Sequence, residues 1–566
     1  MKVTDYVIEY FISKGVSDIF GYPGGVICHL MDSATKYPQS IQAHATYHEQ
    51  AAAFAACGYA QESLHAGVAY ATSGPGATNL ITGIANAYFD SIPVVFITGQ
   101  VDTFALKKDS GLRQKGFQET DITEMVKPIT KYSMTIESAS SVRLCIEQAY
   151  FEATNGRPGP VLIDIPADIQ RMDISPDNWE GFAFPIDDTS EYKREQDLLL
   201  TLLAKSLRPC LLVGSGIKQT GLKGSVRELA EKLSVPVVTT LPAFDVLPQK
   251  HPLNYGFIGT NGHRYANFVV QKCDLLISVG SRLDLKQVGN NRSRFAPNAQ
   301  LVRLDIDENE SDYSIRDNDI KISCDLKEFI PAFMQRIKGD DQGNKDWLGI
   351  CDELKEKLKM FDMDEYHGYI AAISDMVPEN TNITIDVGHH LLWVAQSFRI
   401  KEKQNVYISS GLGSMGYALP AAIGVFYATR KPVICFCGDG GIQMNIQELQ
   451  MIKRDELPIK IILINNCSLG MIRHFQEMNF SENYFQTTQG SGYSVPDFEK
   501  IATAYGIKYI RYESGKTINF TEPGPEFIEI SGSGRTYLYP KFSAKGSLAD
   551  QEPFIDRELY KYLDKL

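Results

Sequence analysis

The sequence predicts an α/β protein built from three doubly wound parallel-sheet domains, and two patterns lead there. Short apolar runs rich in β-branched residues and bounded by Gly or Pro recur at 94–98, 161–165, 210–213, 275–279, 383–386, 433–437 and 461–464. Continuous apolar runs of that kind suit parallel strands covered on both faces. The longer amphipathic stretches between them then read as crossover helices of repeated βαβ units. Two polar stretches, 171–196 (rich in Asp, Glu, Ser and Pro) and 337–347, divide the chain into blocks at 1–170, 195–335 and 360–530. The last segment, 532–566, begins with Gly and Ser and becomes highly charged; it reads as a tail that wraps a neighbour. A chain of 566 residues is too long for one core, so two to four domains are expected.

Composition narrows the function classes. The net charge of −13 comes from 69 acidic and 56 basic residues with the signs interspersed, which disfavours a nucleic-acid or anionic-membrane surface. The N-terminus carries Asp5 and Glu9 in an amphipathic pattern, unlike the apolar core of a signal peptide. No apolar run approaches the roughly 18 residues of a membrane span. Ten cysteines lie scattered without a CxxC pair, so reduced, mostly core thiols and a cytoplasmic location are expected. Neither a zinc-type His/Cys cluster nor a GKS/GKT phosphate loop occurs.

In the first block, Gly21-Tyr22-Pro23-Gly24-Gly25 follows a predicted strand and sets small backbone groups at its end. His48-Glu49-Gln50 opens a helix of small residues, AAAFAACGYA. A lone carboxylate there is either a helix N-terminal charge favoured by the macrodipole or a group that polarises a bound ring. TSGPGATN, with Ser73 and Asn79, is a Gly-rich strand-to-helix turn. In the third block, SGLGSMG (410–416) is another such turn, and His389 and His390 follow a strand end. The run 433–437 leads straight into Gly438-Asp439-Gly440-Gly441, and 461–464 into Asn465-Asn466. Magnesium asks for near-octahedral oxygens and often keeps a diphosphate among them. An Asp, an Asn side chain and a backbone carbonyl at neighbouring strand ends supply that set. The helix predicted to start near Ile442 would point its N-terminus at the anion. Each turn alone also reads as a plain turn; their order along the chain is the informative part.

The strings FGYPGG, HEQAAAFAACGYA, TSGPGATN, GFQET, NGRPGPVLIDIP, GLGSMGYALPAAIG, GDGGIQMNIQEL and NNCSLGMI together resemble the acetolactate (acetohydroxyacid) synthase group of thiamine diphosphate (ThDP) enzymes, over roughly residues 1–480. The resemblance implies pyrimidine-binding, central and diphosphate-binding domains. It also implies a homodimer or homotetramer with active sites at subunit interfaces, Glu49 of one subunit facing ThDP held by the next. By resemblance, Glu49 activates the cofactor, and Asp439, Asn466 and the Ser468 position hold Mg2+. Pro23, Gly24, Ser73, Asn79, His389, His390, Gly438, Gly440, Gly441, Leu469, Gly470 and Met471 line the cofactor, with Gly413 and Met415 on the pyrimidine, and Gly25 and Gln118 join Glu49 as catalytic positions. Met444 is the bulky residue that bends the cofactor, and Phe117 and Gln118 line the substrate pocket.

FAD is a third expected cofactor. Arg157, Gly214, Gly216, Arg282, Asp305 and Asp325 match the usual contact positions, although SRLDLK (281–286) departs from a run like ARFDDR. Two further departures bear on substrate. Phe475 stands where the biosynthetic synthases carry Trp, and Ala167 where they carry Lys; losing both changes the acceptor site. The implied reaction is decarboxylation of a 2-keto acid, pyruvate first, with ligation of the resulting carbanion to a carbonyl acceptor. The alternatives are a carboligase specialised for a keto-sugar nucleotide in surface-polysaccharide synthesis, or a simple decarboxylase or oxidase. A nicotinamide dehydrogenase would need GxGxxG after a strand, and VGSGIKQTG lacks the third glycine at that spacing. A non-catalytic descendant would show altered Glu49 or Asp439, and both are intact.

Overall fold

The predicted strands form because their side chains are buried on both faces: every residue of 94–100, 161–166, 433–438 and 459–465 is buried. The computed structural model describes residues 1–176, 179–185, 192–337, 344–543 and 546–566. Parts of both polar stretches and two tail positions (177–178, 186–191, 338–343, 544–545) lie outside the described residues.

The first sheet contains β1 (Asp18–Gly21), β2 (Gln42–Ala45), β3 (Gly67–Ala71), β4 (Val94–Gln100), β5 (Tyr132–Thr135) and β6 (Val161–Pro166), in the order β2-β1-β3-β4-β6-β5. The second contains β7 (Pro209–Val213), β8 (Val237–Thr239), β9 (Asn254–Phe257), β10 (Leu275–Val279), β11 (Gln300–Asp305) and β12 (Ile320–Ser323), in the order β12-β11-β10-β7-β8-β9. The third contains β13 (Asn382–Ile385), β14 (Val406–Ile408), β15 (Val433–Gly438), β16 (Ile459–Asn465), β17 (Lys508–Arg511) and β18 (Glu526–Ser531), in the order β14-β13-β15-β16-β18-β17. All described strand pairings are parallel, in agreement with the predicted class.

Numbered within each domain, the first and third sheets share one order, 2-1-3-4-6-5. The middle sheet runs 3-2-1-4-5-6, the order of dinucleotide-binding folds, with its switch point between β7 and β10.

Helices α1 (Glu49–Ser63) and α2 (Ala418–Thr429) join the outer domains. Both are apolar all round, so both are buried on several sides. A Cβ at Gly424 would lie 1.8 Å from the Ala55 carbonyl oxygen, and one at Gly58 2.3 Å from that of Ala421. The two backbones therefore cross in contact, and one core holds side chains of both domains.

Two expectations change. The segment after Asp439 starts with a single 3-10 turn, Ile442–Met444, and not an α-helix. Asn445 leaves helical geometry (φ −134°), and its amide bridges Gln50 Oε1 and the Gly416 carbonyl instead. The tail, expected to wrap a neighbour, packs on its own middle domain. Leu548, Ala549, Ile555 and Leu563 enter that core beside Trp347 and Leu354, and α4 (Arg557–Lys565) ends with the Leu566 carbonyl oxygen accepting from Arg208 at 3.0 Å.

Candidate active site

Parallel sheets gather their loops at the carboxyl ends of the strands, and the predicted residues collect at those edges. At the first sheet, β2 leads into His48, whose Nδ1 accepts from the Gln50 amide at 3.0 Å and caps α1. Glu49 is thereby fixed as the first residue of α1, buried, with Oε2 accepting from Asn79 Nδ2 at 2.9 Å. Its other oxygen, Oε1, faces Gly76: a Cβ there would lie 3.2 Å away. Gly24 backs onto Thr72, where a Cβ would come within 2.4 Å, whereas Gly25 is exposed with open space before it. Pro23 is exposed too, and the buried Ser73 hydroxyl has no hydrogen-bond partner among the described residues.

Gly74 (φ +62°) lies against Gln118, which is itself left-handed at φ +63°. That strained residue belongs to a loop held by Glu119, whose buried carboxylate accepts from the amides of Lys107, Lys115 and Gly116. These amide bonds lower the Glu119 pKa against the opposing effect of burial. Phe117, beside it, is 86% exposed, and Ala167 is buried at the end of β6.

At the third sheet, Asp439 follows β15 and is buried. Burial raises its carboxyl to about 6, opposed by amide bonds from Ser468 and Gly440; the Ser468 amide donates to Oδ2 at 3.1 Å. The Asn466 amide nitrogen donates to Thr536 Oγ1 at 2.9 Å, which leaves Oδ1 as its free ligand atom. The Ser468 hydroxyl donates to the Thr487 carbonyl, which engages its hydrogen and leaves its oxygen lone pairs and the backbone oxygen to offer. Among the described residues no group of three or more His, Cys, Asp or Glu is placed to hold a metal. An Asp/Asn/backbone donor set is what a magnesium diphosphate needs instead, and these residues fit it.

Gly440 sits where a Cβ would strike Leu469 at 2.7 Å and approach Met415 at 3.3 Å. A Cβ at Gly441 would meet Asp386 Oδ2 at 2.3 Å, and at Gly438 the His390 ring at 2.9 Å. Asp386, which the sequence reading overlooked, accepts from the Gly416 amide with both oxygens at 3.0 Å, tying two loops together; burial raises it to about 7. His389 and His390 are both buried, and burial lowers them to about 3 and about 4, so both rings are neutral. Among the described residues His390 Nε2 and Ser414 Oγ have no partner. Orphaned polar atoms at both edges (Ser73, Ser414, His390) fit a polar ligand. Met444 covers Gly416 and is 54% exposed; Phe475, on α3 (Gly470–Asn479), is 52% exposed.

The described side-chain bonds of Glu49 stay in the first domain, and those of Asp439 in the third. Bonds between the domains run elsewhere: Gln50 to Asn445, Tyr47 to Glu448, Asp18 to Arg430.

A cavity of about 350 Å³ opens at the switch point of the middle sheet and extends to Gly413 and Met471. Gly216, Arg282, Asp305 and Asp325 line it as expected. Gly214 does not; it packs on Gly280, where a Cβ would clash at 2.1 Å. Arg157 lines the cavity with its charge already engaged, pairing with Asp307 at 2.8 Å and Glu310 at 3.0 Å. Lys286 and Lys327 add cations, while Phe257, Leu391 and Leu392 supply an apolar end. That combination fits a dinucleotide.

Three family models match the chain: the N-terminal TPP binding domain of thiamine pyrophosphate enzymes at residues 1–125, their central domain at 197–333 and their C-terminal TPP binding domain at 386–522. The acetolactate synthase large subunit of Lactococcus lactis is 37% identical over 95% of this chain and 94% of its own length. The isozyme 2 large subunit of Escherichia coli is 37% identical over 94% and 95%, and chloroplastic acetolactate synthase 1 of Zea mays 33% over 97% and 88%.

Proposed function

The chain belongs to the thiamine pyrophosphate enzymes, in the acetolactate synthase large-subunit family, and on that premise we propose that it decarboxylates pyruvate and joins the remaining two-carbon unit to a second carbonyl compound. One observation carries the reading: a buried, Asn79-anchored Glu49 at the edge of the first sheet, with Asp439 and Asn466 at the corresponding edge of a third sheet of identical strand order. The relatives favour this reaction over a carboligase dedicated to a keto-sugar nucleotide.

Asp439, Asn466 and the Ser468 carbonyl would hold Mg2+ and, through it, the cofactor diphosphate. Gly438, Gly440 and Gly441 let that diphosphate approach the backbone. Bound ThDP supplies the electron sink that decarboxylation of a 2-keto acid requires. Glu49 Oε1 would share a proton with the aminopyrimidine ring while Asn79 fixes Oε2. Met415 and Met444 give the ring its apolar seat, and Phe117, Gln118 and Phe475 form the walls for two small carbonyl substrates.

The exposed Phe117, Met444 and Phe475, together with the separate bonding of Glu49 and Asp439, support a homodimer or homotetramer in which one chain's first domain faces another's third. The lining of this cavity supports FAD: Asp305 and Asp325 would serve as hydrogen-bond acceptors for its hydroxyl groups, and Leu391, Leu392 and Met471 would supply apolar surface for its ring system. The reading is of a cytoplasmic enzyme of small metabolites, without nucleic-acid or membrane partners; among the described residues no helix is long and apolar enough to cross a membrane.

Incubating the protein with pyruvate, ThDP and Mg2+ should yield acetolactate without another acceptor. Glu49→Gln should keep ThDP affinity while kcat falls about 100-fold or more. Pyruvate turnover that survives this substitution undiminished would rule out the mechanism, and consumption only with an added acceptor would revive the specialised carboligase.

A further inference from the structure

The segment following β18 passes over Asn466 on its way to the middle domain. Thr536 Oγ1 lies 2.9 Å from Asn466 Nδ2 and 3.1 Å from His389 Nδ1, with all three residues buried. The backbone is close as well: a Cβ at Gly534 would stand 3.3 Å from the Asn466 carbonyl oxygen.

This strap is anchored to α3. Arg473, fully buried, donates to the Thr536 carbonyl and pairs with Glu477 at 2.6 Å, and Glu477 accepts from Tyr537 at 2.8 Å. Gly470 makes the three-way contact possible. A methyl group there would stand 2.9 Å from both Asn466 Nδ2 and His389 Nδ1, and 3.0 Å from Thr536 Oγ1.

A side-chain amide has two ends of nearly equal shape, one an acceptor oxygen and the other a donor nitrogen. A hard cation takes only the oxygen. Occupying the nitrogen with a hydroxyl acceptor therefore selects the rotamer that turns the oxygen away from Thr536 and leaves it as the end a cation can take. We propose that Thr536 is a positioning residue for the divalent cation: its hydroxyl fixes the Asn466 amide with the oxygen available to the metal, so that a residue of the C-terminal strap sets the affinity of the metal–diphosphate site. This rests on the assignment of Asp439 and Asn466 as cation ligands.

The test is Mn2+ binding to the full-length protein with ThDP present, read from the paramagnetic resonance signal of free Mn2+. Losing an outer partner of a metal ligand weakens metal binding by about 10–100-fold. Thr536→Val should do so, with some loss of metal-free melting temperature because buried Asn466 and His389 lose a partner, whereas Thr536→Ser should stay close to the parent in both. In an Asn466→Asp background both ends are oxygen, so Thr536→Val should have little further effect. Should the valine variant fold poorly, Thr536→Cys, with its weaker acceptor, is read in the same way. Unchanged Mn2+ affinity in Thr536→Val, or an equal loss in the Asn466→Asp background, overturns the positioning role. Asp439→Asn separates the two failures: if it too binds Mn2+ normally, the ligand assignment itself is wrong.

Discussion

Both oxygens of Glu448, in the third domain, accept the amide hydrogen of Tyr47 in the first, at 2.9 and 3.2 Å. A carboxyl from one domain thus fixes the turn from which Glu49 of the other projects. Burial raises Glu448 from 4.5 to about 7, outweighing the amide bond that favours its charged form. The folded chain therefore holds this proton more tightly than the unfolded chain does. The associated stability is complete below about pH 4.5 and is lost as pH climbs through 7. Glu448→Gln keeps an acceptor oxygen for Tyr47 but has no proton to lose. Its melting temperature should gain on the parent's as pH rises from 5 to 8, and a constant difference across that range would show that Glu448 does not titrate in the fold.

At the scale of elements, much of the molecule is legible in the sequence because parallel strands and tightly packed Gly-rich turns have narrow chemical requirements. The buried apolar runs read directly as β4, β6, β10, β15 and β16, and the glycines of GDGG and TSGPG mark close approaches that a Cβ would block. Three-residue strands such as β8 and β14 carry no period to detect. The helix expected near Ile442 fails for a tertiary reason, since Asn445 gives up helical geometry to bridge Gln50 and Gly416. Nor does a local pattern mark Thr536, whose partners Asn466 and His389 come from distant parts of the chain. The α1–α2 crossing is different: the small-residue string of α1 foretells close packing, and Gly58 and Gly424 are where it occurs. A methyl group at Gly424 would fall 1.8 Å from a backbone oxygen, far inside van der Waals contact, so the helices must separate. Gly424→Ala should cost about 1–3 kcal/mol, at the upper end because backbone and not a side chain must yield. Thermal scans should show the first and third domains losing stability together, and a drop confined to the third would mean the helices can part without strain.

Across the whole molecule, the tail links the proposed metal site to the middle domain. Downstream of Thr536, Gln551 donates to the Thr260 carbonyl at 3.0 Å, and the buried Arg264 donates to the Gln551 and Pro553 carbonyls at 2.9 and 2.8 Å. Arg264 also forms a bidentate pair with Asp362, both bonds 2.8 Å. Its charge density conceals this docking in the sequence, although Leu559, Leu563 and Leu566 fall on one helical face. Arg264→Met removes two carbonyl partners and leaves Asp362 buried without its cation, a change that costs about 3–5 kcal/mol. Removing both charges with Arg264→Met/Asp362→Leu should recover part of that, because the stranded carboxylate disappears while the carbonyls remain unserved. In hydrogen exchange, the single variant should lose protection over 546–566 first and then over 533–540, whereas β1 to β6 keep theirs. Since the freed strap includes Thr536, Mn2+ affinity should fall with the second loss. Protection lost at 546–566 with metal affinity intact would confine the tail to holding the middle domain together and detach it from the metal site.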